Sequence, residues 1–528
     1  MRNFELPGRS PVFAAHGMAA TSHPRATLAA LDMLRGGGNA VDAAIAAVAV
    51  LCVVEPAMTG IGGDCFALYA PAGGKVIGYN GSGRAPAAAT TGWYRDRGIA
   101  AIDPVSVHAV TVPGAIEAWT RLAADHGTRD IGALLAPAID LAENGSPVPP
   151  RIAWDWQRFA AKIAANPAAR DIFLDGGKPP APGTVFRQPR LAETLRRVAA
   201  DGADGFYKGP AAAAMAASLA ALGGLHTADD FAAAAGQYDV PVSTGYRGYE
   251  VLECPPNGQG FVALIMLNIL EGFDMAALDP AGADRLHLEI EAGRLAYADR
   301  DRYVRDHIPS RDGLDPFLTD DYAAERRHLI DPSRAMPADA IVSLQPHSNT
   351  TYLTVVDGDG NAISLINSLF QGFGSGIACP ETGVLFQNRG FGFTLDEASA
   401  NAIGPGKRPV HTIMPGMLVR DGRAEMPFGV MGGQYQPFGH THFLTNVLDH
   451  GMDVQAALDD ARLFANAGKV EAESGVTAAA RDGLTARGHT ITAPEAPHGG
   501  GQAIRIDWDR GVLVGGSDPR KDGCALGY

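Results

Sequence analysis

Two adjacent threonines, Thr350 and Thr351, open the run Thr351-Tyr352-Leu353-Thr354-Val355-Val356. A threonine hydroxyl is a weak nucleophile that needs a base beside it. A cut between Asn349 and Thr350 would supply one, because a freed α-amine has a reference pKa of about 7.7–8.0 and takes the hydroxyl proton within the same residue. The chemistry implied is acyl transfer through an ester on Thr350, and the same hydroxyl would make the cut by attacking the preceding carbonyl. Alone, the motif reads better as the start of an ordinary half-buried strand, since alternation and β-branched residues are what strands require.

Other groupings offer weaker chemistry. His440-Thr441-His442 presents two imidazoles that would converge on a metal if they alternated along a strand, but no H-E-x-x-H and no third ligand at a telling spacing accompanies them. Gly374-Ser375-Gly376 lacks the full G-x-S-x-G elbow of a serine hydrolase. Gly258-Gln259-Gly260 follows two prolines and has no βαβ context, so it is not a dinucleotide fingerprint.

The elements that must position Thr350 are legible around it. Tyr352–Val356 and Ala362–Ile366 flank Asp357-Gly358-Asp359-Gly360, a hairpin signal that puts Thr350 at the end of a strand. Residues 146–245 read as mostly helical, with Ala-rich segments such as Leu191–Ala200 and Ala211–Ala221. A strand over Val251–Pro256 turns into a helix over Phe261–Leu270. Gly36-Gly37-Gly38 ends a helix over Ala26–Arg35, and Asn39 caps an apolar, buried helix over Ala40–Val54. Arg311–Ser348, rich in Pro, Asp and Ser, reads as an exposed connection leading to the cut.

The 528 residues, 46% of them hydrophobic, suffice for a large core. A net charge of −15 argues against nucleic-acid binding. Ala40–Val54 is too short to span a bilayer, and the first residues hold no signal-peptide run, so neither membrane insertion nor export is expected. Five widely spaced cysteines without a C-x-x-C pair signal neither a disulfide framework nor a zinc site, and a reducing cytoplasm is the expected compartment.

An ordered series of motifs gives the double threonine its context: Ser22-His23-Pro24, Gly37-Gly38-Asn39-Ala40-Val41-Asp42-Ala43-Ala44, Val54-Glu55-Pro56, Gly60-Ile61-Gly62-Gly63, Val112-Pro113-Gly114, Ala296-Tyr297-Ala298-Asp299-Arg300, Gly404-Pro405-Gly406-Lys407-Arg408-Pro409, Gly432-Gly433 and Ser517-Asp518-Pro519-Arg520. From about Gly17 to Tyr528 the chain resembles the γ-glutamyltranspeptidase family of N-terminal-nucleophile hydrolases. The resemblance implies an α/β fold, a four-layer αββα sandwich built as one domain from two subunits of one precursor, residues 1–349 and 350–528. It implies a small-molecule substrate and no metal or organic cofactor. It makes Thr350 the nucleophile, Ser368 a second hydroxyl beside it, with Asn367 a weaker candidate, and Gly432 and Gly433 the oxyanion-stabilising pair.

At the substrate pocket the chain departs from that family. The resemblance places Ser82 where the family has an arginine for the substrate carboxylate, although Arg84 follows two residues on. Gly392 stands at the position of the aspartate that holds the ammonium, His411 and Thr412 at a serine pair, and Phe370 at an asparagine. With the ammonium partner missing and cations available at Arg389 and Arg84, the pocket suits a small acidic acyl group without a free α-amine. The pattern is similar to the branch holding oxamate amidohydrolase and cephalosporin-acylase-like enzymes. The expected reaction is oxamate to oxalate and ammonia; the alternative is hydrolysis or transfer of γ-glutamyl amides.

Overall fold

The computed structural model describes residues 8–303, 306, 313–337 and 350–528. Asn349 and the bond preceding Thr350 lie outside the described residues, as do parts of the expected connection over 311–348. The described part of that connection is not featureless. Thr319 caps a helix over Asp320–Arg327, and Leu314, Ala323 and Ile330 are buried, so sparse apolar anchors sufficed where periodicity was absent.

Two seven-stranded sheets form the centre, with every neighbouring pair antiparallel. One has the order Cys524–Gly527, Met18–Thr21, Thr351–Val356, Ala362–Ser368, Asp64–Ala70, Ile77–Gly81, Gln237–Asp239. The other runs Val12–Ala14, Val512–Ser517, Gly500–Asp507, Arg423–Met431, Gly416–Arg420, Tyr249–Glu253, Val242–Tyr246. Both sheets combine strands from before and after Thr350.

Each face of each sheet is covered, so the central strands are apolar on both sides. Leu353, Val355, Ile363 and Leu365 pack under an outer helical layer that includes Ala40–Val54, Ala115–His126 and Pro189–Asp201. Tyr352, Val356, Ala362 and Ile366 face the second sheet and meet Met417, Met431 and Ile504. A second helical layer, built from Gly260–Glu271, Ala283–Tyr303 and Gln436–Leu448, closes the far side over Leu418, Phe428 and Val430. The result is the expected αββα sandwich. Ser364 ties the sheets together: its hydroxyl meets the Tyr352 hydroxyl at 2.7 Å and donates to the Phe428 carbonyl at 3.2 Å.

The Ala40–Val54 helix forms as its sequence predicts. Asn39 accepts from the amides of Val41 and Asp42, Asp42 accepts from the Asn39 amide, and every side chain of the helix is buried. His440 and His442 lie on the Gln436–Leu448 helix, not on a strand. Two positions apart on a helix they diverge: His440 pairs with Glu253 at 2.7 Å, and His442 with Glu289 at 2.8 Å and Asp460 at 3.0 Å.

Candidate active site

The Thr351–Val356 and Ala362–Ser368 strands pair with Thr351 opposite Asn367, which brings Thr350 beside Ser368. Alternation along these strands turns Tyr352 and Ile366 toward the second sheet, and Thr350 and Ser368 share that parity. Their hydroxyls are 3.1 Å apart and both residues are buried. Asn367 has the opposite parity. Its amide donates to Thr59 at 2.8 Å and to the Gly60 carbonyl at 3.3 Å, so it braces a neighbouring turn.

Three further side chains converge on this sheet end. Arg389, on the short turn Arg389–Gly392, donates from Nη1 to Thr412 at 3.0 Å and from Nη2 to Ser368 at 3.4 Å. Ser368 also accepts from the Phe370 amide at 2.9 Å. Phe370 adopts φ 79°, a left-handed conformation that costs a β-carbon-bearing residue about 1 kcal/mol or more. That backbone sets its ring 4.0 Å from the guanidinium carbon of Arg389, a cation–π stack. Ring, hydroxyls and guanidinium thus form one buried group around Thr350.

Arg389 is wholly buried and forms no ion pair with a carboxylate among the described residues. Its Nε finds no acceptor there. Burial pulls the guanidinium down to about 9, partly offset by the negative charge of Asp64. The group remains cationic at neutral pH with no carboxylate in contact among the described residues.

Asp64 was not foreseen. It opens the strand Asp64–Ala70, stands opposite Ser368 in the ladder, and is fully buried. Its Oδ1 accepts from the Gly83 amide and from Gln387, each at 2.8 Å, and its Oδ2 from His411 Nε2 at 2.9 Å. The sequence did carry a signal: a carboxylate heading an otherwise apolar strand must be paired if both faces are covered. His411 Nδ1 accepts from the Ile413 amide, so Nε2 carries the proton toward Asp64. Burial, then the neighbouring Arg389 charge, hold this imidazole down to about 3, and it is neutral.

Of the other expected site residues, Thr412 receives Arg389 as described. Gly432 and Gly433 follow the Arg423–Met431 strand with φ 134° and 60°, positive values that glycine adopts at least cost. Gln259 links them to the cluster, its Nε2 donating to the carbonyls of Gly433 at 3.0 Å and Thr412 at 2.8 Å. Arg84 is not brought to this cluster. Its guanidinium donates to the Gly406 carbonyl at 3.0 Å, and it lines a separate small cavity of about 140 Å³ with Pro113, Asp230 and Ala234. Ser82 accepts from Asn257 at 3.1 Å. Among the described residues one group has metal-ligand spacing, His287, Glu291 and His489, but Glu291 is already engaged by Arg294 at 2.6 Å and by the Met336 amide at 2.8 Å.

Comparison with known proteins agrees with this architecture. Residues 26–528 match the family described as Gamma-glutamyltranspeptidase. The chain is 36% identical over 524 residues to the glutathione hydrolase-like YwrD proenzyme of Bacillus subtilis, covering 97% of this chain and 98% of that one. It is 34% identical over 532 residues to the oxamate amidohydrolase proenzyme of Klebsiella pneumoniae, covering 97% and 98%. The crystal structure of a cephalosporin acylase from Bacillus halodurans superimposes with a TM-score of 0.93 at 41% identity, covering 100% of this chain and 99% of that one. The chain therefore belongs to the γ-glutamyltranspeptidase family and is an amide-cleaving N-terminal-nucleophile hydrolase.

Proposed function

We propose that the protein cuts itself before Thr350 and then hydrolyses the amide of a small acyl substrate bearing a carboxylate next to the scissile carbonyl, with oxamate as the substrate that fits best. The observation that carries this reading is Arg389: a buried guanidinium, one hydrogen bond removed from the Thr350 hydroxyl and without an anionic partner among the described residues. A buried cation is costly unless paired, and a planar carboxylate is its natural complement.

In the proposed reaction the Thr350 hydroxyl attacks the amide carbon as its proton passes to the Thr350 α-amine. The C–N bond breaks and the proton leaves with ammonia. Water then adds to the oxalyl ester, releasing oxalate and restoring the hydroxyl. Backbone N–H groups of Gly432 and Gly433 are assigned to the developing oxyanion, and Ser368 to orienting the nucleophile. Thr412 steadies Arg389. Arg84, turned to Gly406, is left outside the substrate site.

A γ-glutamyl substrate would also need a partner for its ammonium. Asp64 is the buried acid at hand, but both its oxygens are already engaged by Gly83, Gln387 and His411. Among the similar proteins, glutathione hydrolase, acylase and oxamate amidohydrolase names all occur. The deciding experiment measures ammonia release by the processed protein from oxamate and from glutamine in parallel, with Thr350→Ala as control. Release from oxamate alone supports the proposal, and release mainly from glutamine overturns it. A cytoplasmic setting is further proposed on the five free thiols, four of them buried.

A further inference from the structure

Asp64 and Arg389 are opposite charges buried at this sheet end without touching, and a third buried charge, Arg408, acts on Asp64 and His411. Asp64 reaches the cluster through His411, whose Nε2–H it holds at 2.9 Å while the Ile413 amide fixes the opposite ring nitrogen as an acceptor. It is the only negative charge that acts appreciably on Arg389 among the described residues. Its three donors, Gly83, Gln387 and His411, come from widely separated parts of the chain, so its position is fixed from several directions.

Resting on the proposed carboxylate-binding role of Arg389, we propose that Asp64 is a specificity-determining and positioning residue, which locks His411 as the Nε2–H tautomer and limits the pocket to acyl groups carrying a single negative charge. Arg389 and Asp64 together are neutral. Each negative charge on a substrate adds its own repulsion from Asp64, so a dianion meets about twice the repulsion that a monoanion does. The same residue that lets the pocket hold an unpaired guanidinium when empty thus sets how much anion it tolerates when filled. In hydrolysis it favours the monoanionic amide over the dianionic product, and release of oxalate follows from the same repulsion.

The test compares oxamate, a monoanion, with oxalate, a dianion of similar size, on the processed wild type and on Asp64→Asn and His411→Gln. Asp64→Asn is expected to lower the ratio of the oxalate inhibition constant to the oxamate KM by about tenfold or more, and to lower kcat. His411→Gln keeps the Asp64 charge and can still donate an N–H to it, so it should keep the wild-type ratio. An unchanged ratio in Asp64→Asn, or an equal change in both variants, would overturn the proposal.

A second readout does not depend on turnover, and its first arm needs only the wild type. In histidine-labelled wild type, the nitrogen NMR spectrum should show His411 as Nε2–H; an Nδ1–H tautomer overturns the proposal. In folded Asp64→Asn the signal should shift, and an unchanged signal overturns it as well. If the wild type ignores oxamate, the functional reading fails while the His411 spectrum still decides the role of Asp64.

Discussion

The guanidinium of Arg389 lies 4.0 Å over the ring of Phe370, and Phe370 holds that place only by taking a left-handed backbone conformation. An asparagine, the family's residue at this position by resemblance, would adopt that backbone more readily but offers no π face. Strain is therefore retained here in exchange for a platform. Phe370→Asn should leave thermal stability nearly unchanged and raise the KM for oxamate about fivefold, on the order of 1 kcal/mol. Steady-state kinetics beside a melting curve checks both halves.

Arg389 itself should matter far more. Arg389→Ala removes a charge-assisted contact and is expected to lower kcat/KM for oxamate about 100-fold, or about 2.7 kcal/mol. Arg389→Lys should recover only part of this, because a lysine ammonium cannot present a planar fork. Near-normal kinetics in Arg389→Ala would remove the residue from the substrate site.

An anion that pairs with Arg389 should also stabilise the fold. At about 100 times its dissociation constant, oxalate contributes about 2.7 kcal/mol to the folded state, which differential scanning fluorimetry would read as a rise of roughly 2–4 °C. The rise should vanish in Arg389→Ala.

The pH dependence follows from which groups can titrate. The α-amine freed by the cut must be neutral to accept the Thr350 proton, so activity should climb with pH through about 7.7–8.0 with unit slope. His411, held down to about 3, is neutral throughout that range and adds no limb near 6.5. Burial lowers Arg389, but its guanidinium keeps its charge across this range, so carboxylate binding adds no alkaline limb to kcat/KM. A profile of kcat/KM from pH 5 to 10 checks this; a principal limb near 6.5 would point to a histidine base instead.

Thr350→Ala should remain a single uncut chain by intact mass, while wild type yields fragments 1–349 and 350–528. A wild-type chain that stays uncut yet hydrolyses amides would defeat the N-terminal mechanism.

What could be read from the chain was whatever rests on neighbours in sequence. Asn39 and Asp42 cap their helix within four residues, and the hairpin around Asp357-Gly358-Asp359-Gly360 closes locally, so both were legible. Arg389 and Thr412 were legible only through family resemblance, yet they stand in the cluster. Asp64 heads an apolar strand and so needs a partner, but that partner, His411, is 347 residues away and no local pattern names it. Arg84 misled for the complementary reason: proximity in sequence to Ser82 says nothing about where a long side chain turns, and a carbonyl at Gly406 claims it. The helix over Asp320–Arg327 was missed because composition there resembled loop, while a Thr319 cap and a few buried side chains were enough to form it.

The strand that carries Thr350 is walled by Met18–Thr21 on one side and by Ala362–Ser368, itself beside Asp64–Ala70, on the other. Assembly of that sheet must come before any chemistry at Thr350, because Ser368 meets the hydroxyl, with Arg389 behind it, only once the ladder is in register. Maturation would then act as a proofreading step. On the proposed cut, a molecule with a misregistered sheet would never acquire its amine and would stay inert, whereas a correctly assembled one would commit itself irreversibly, its two pieces still interleaved and unable to part without unravelling the sheets they share.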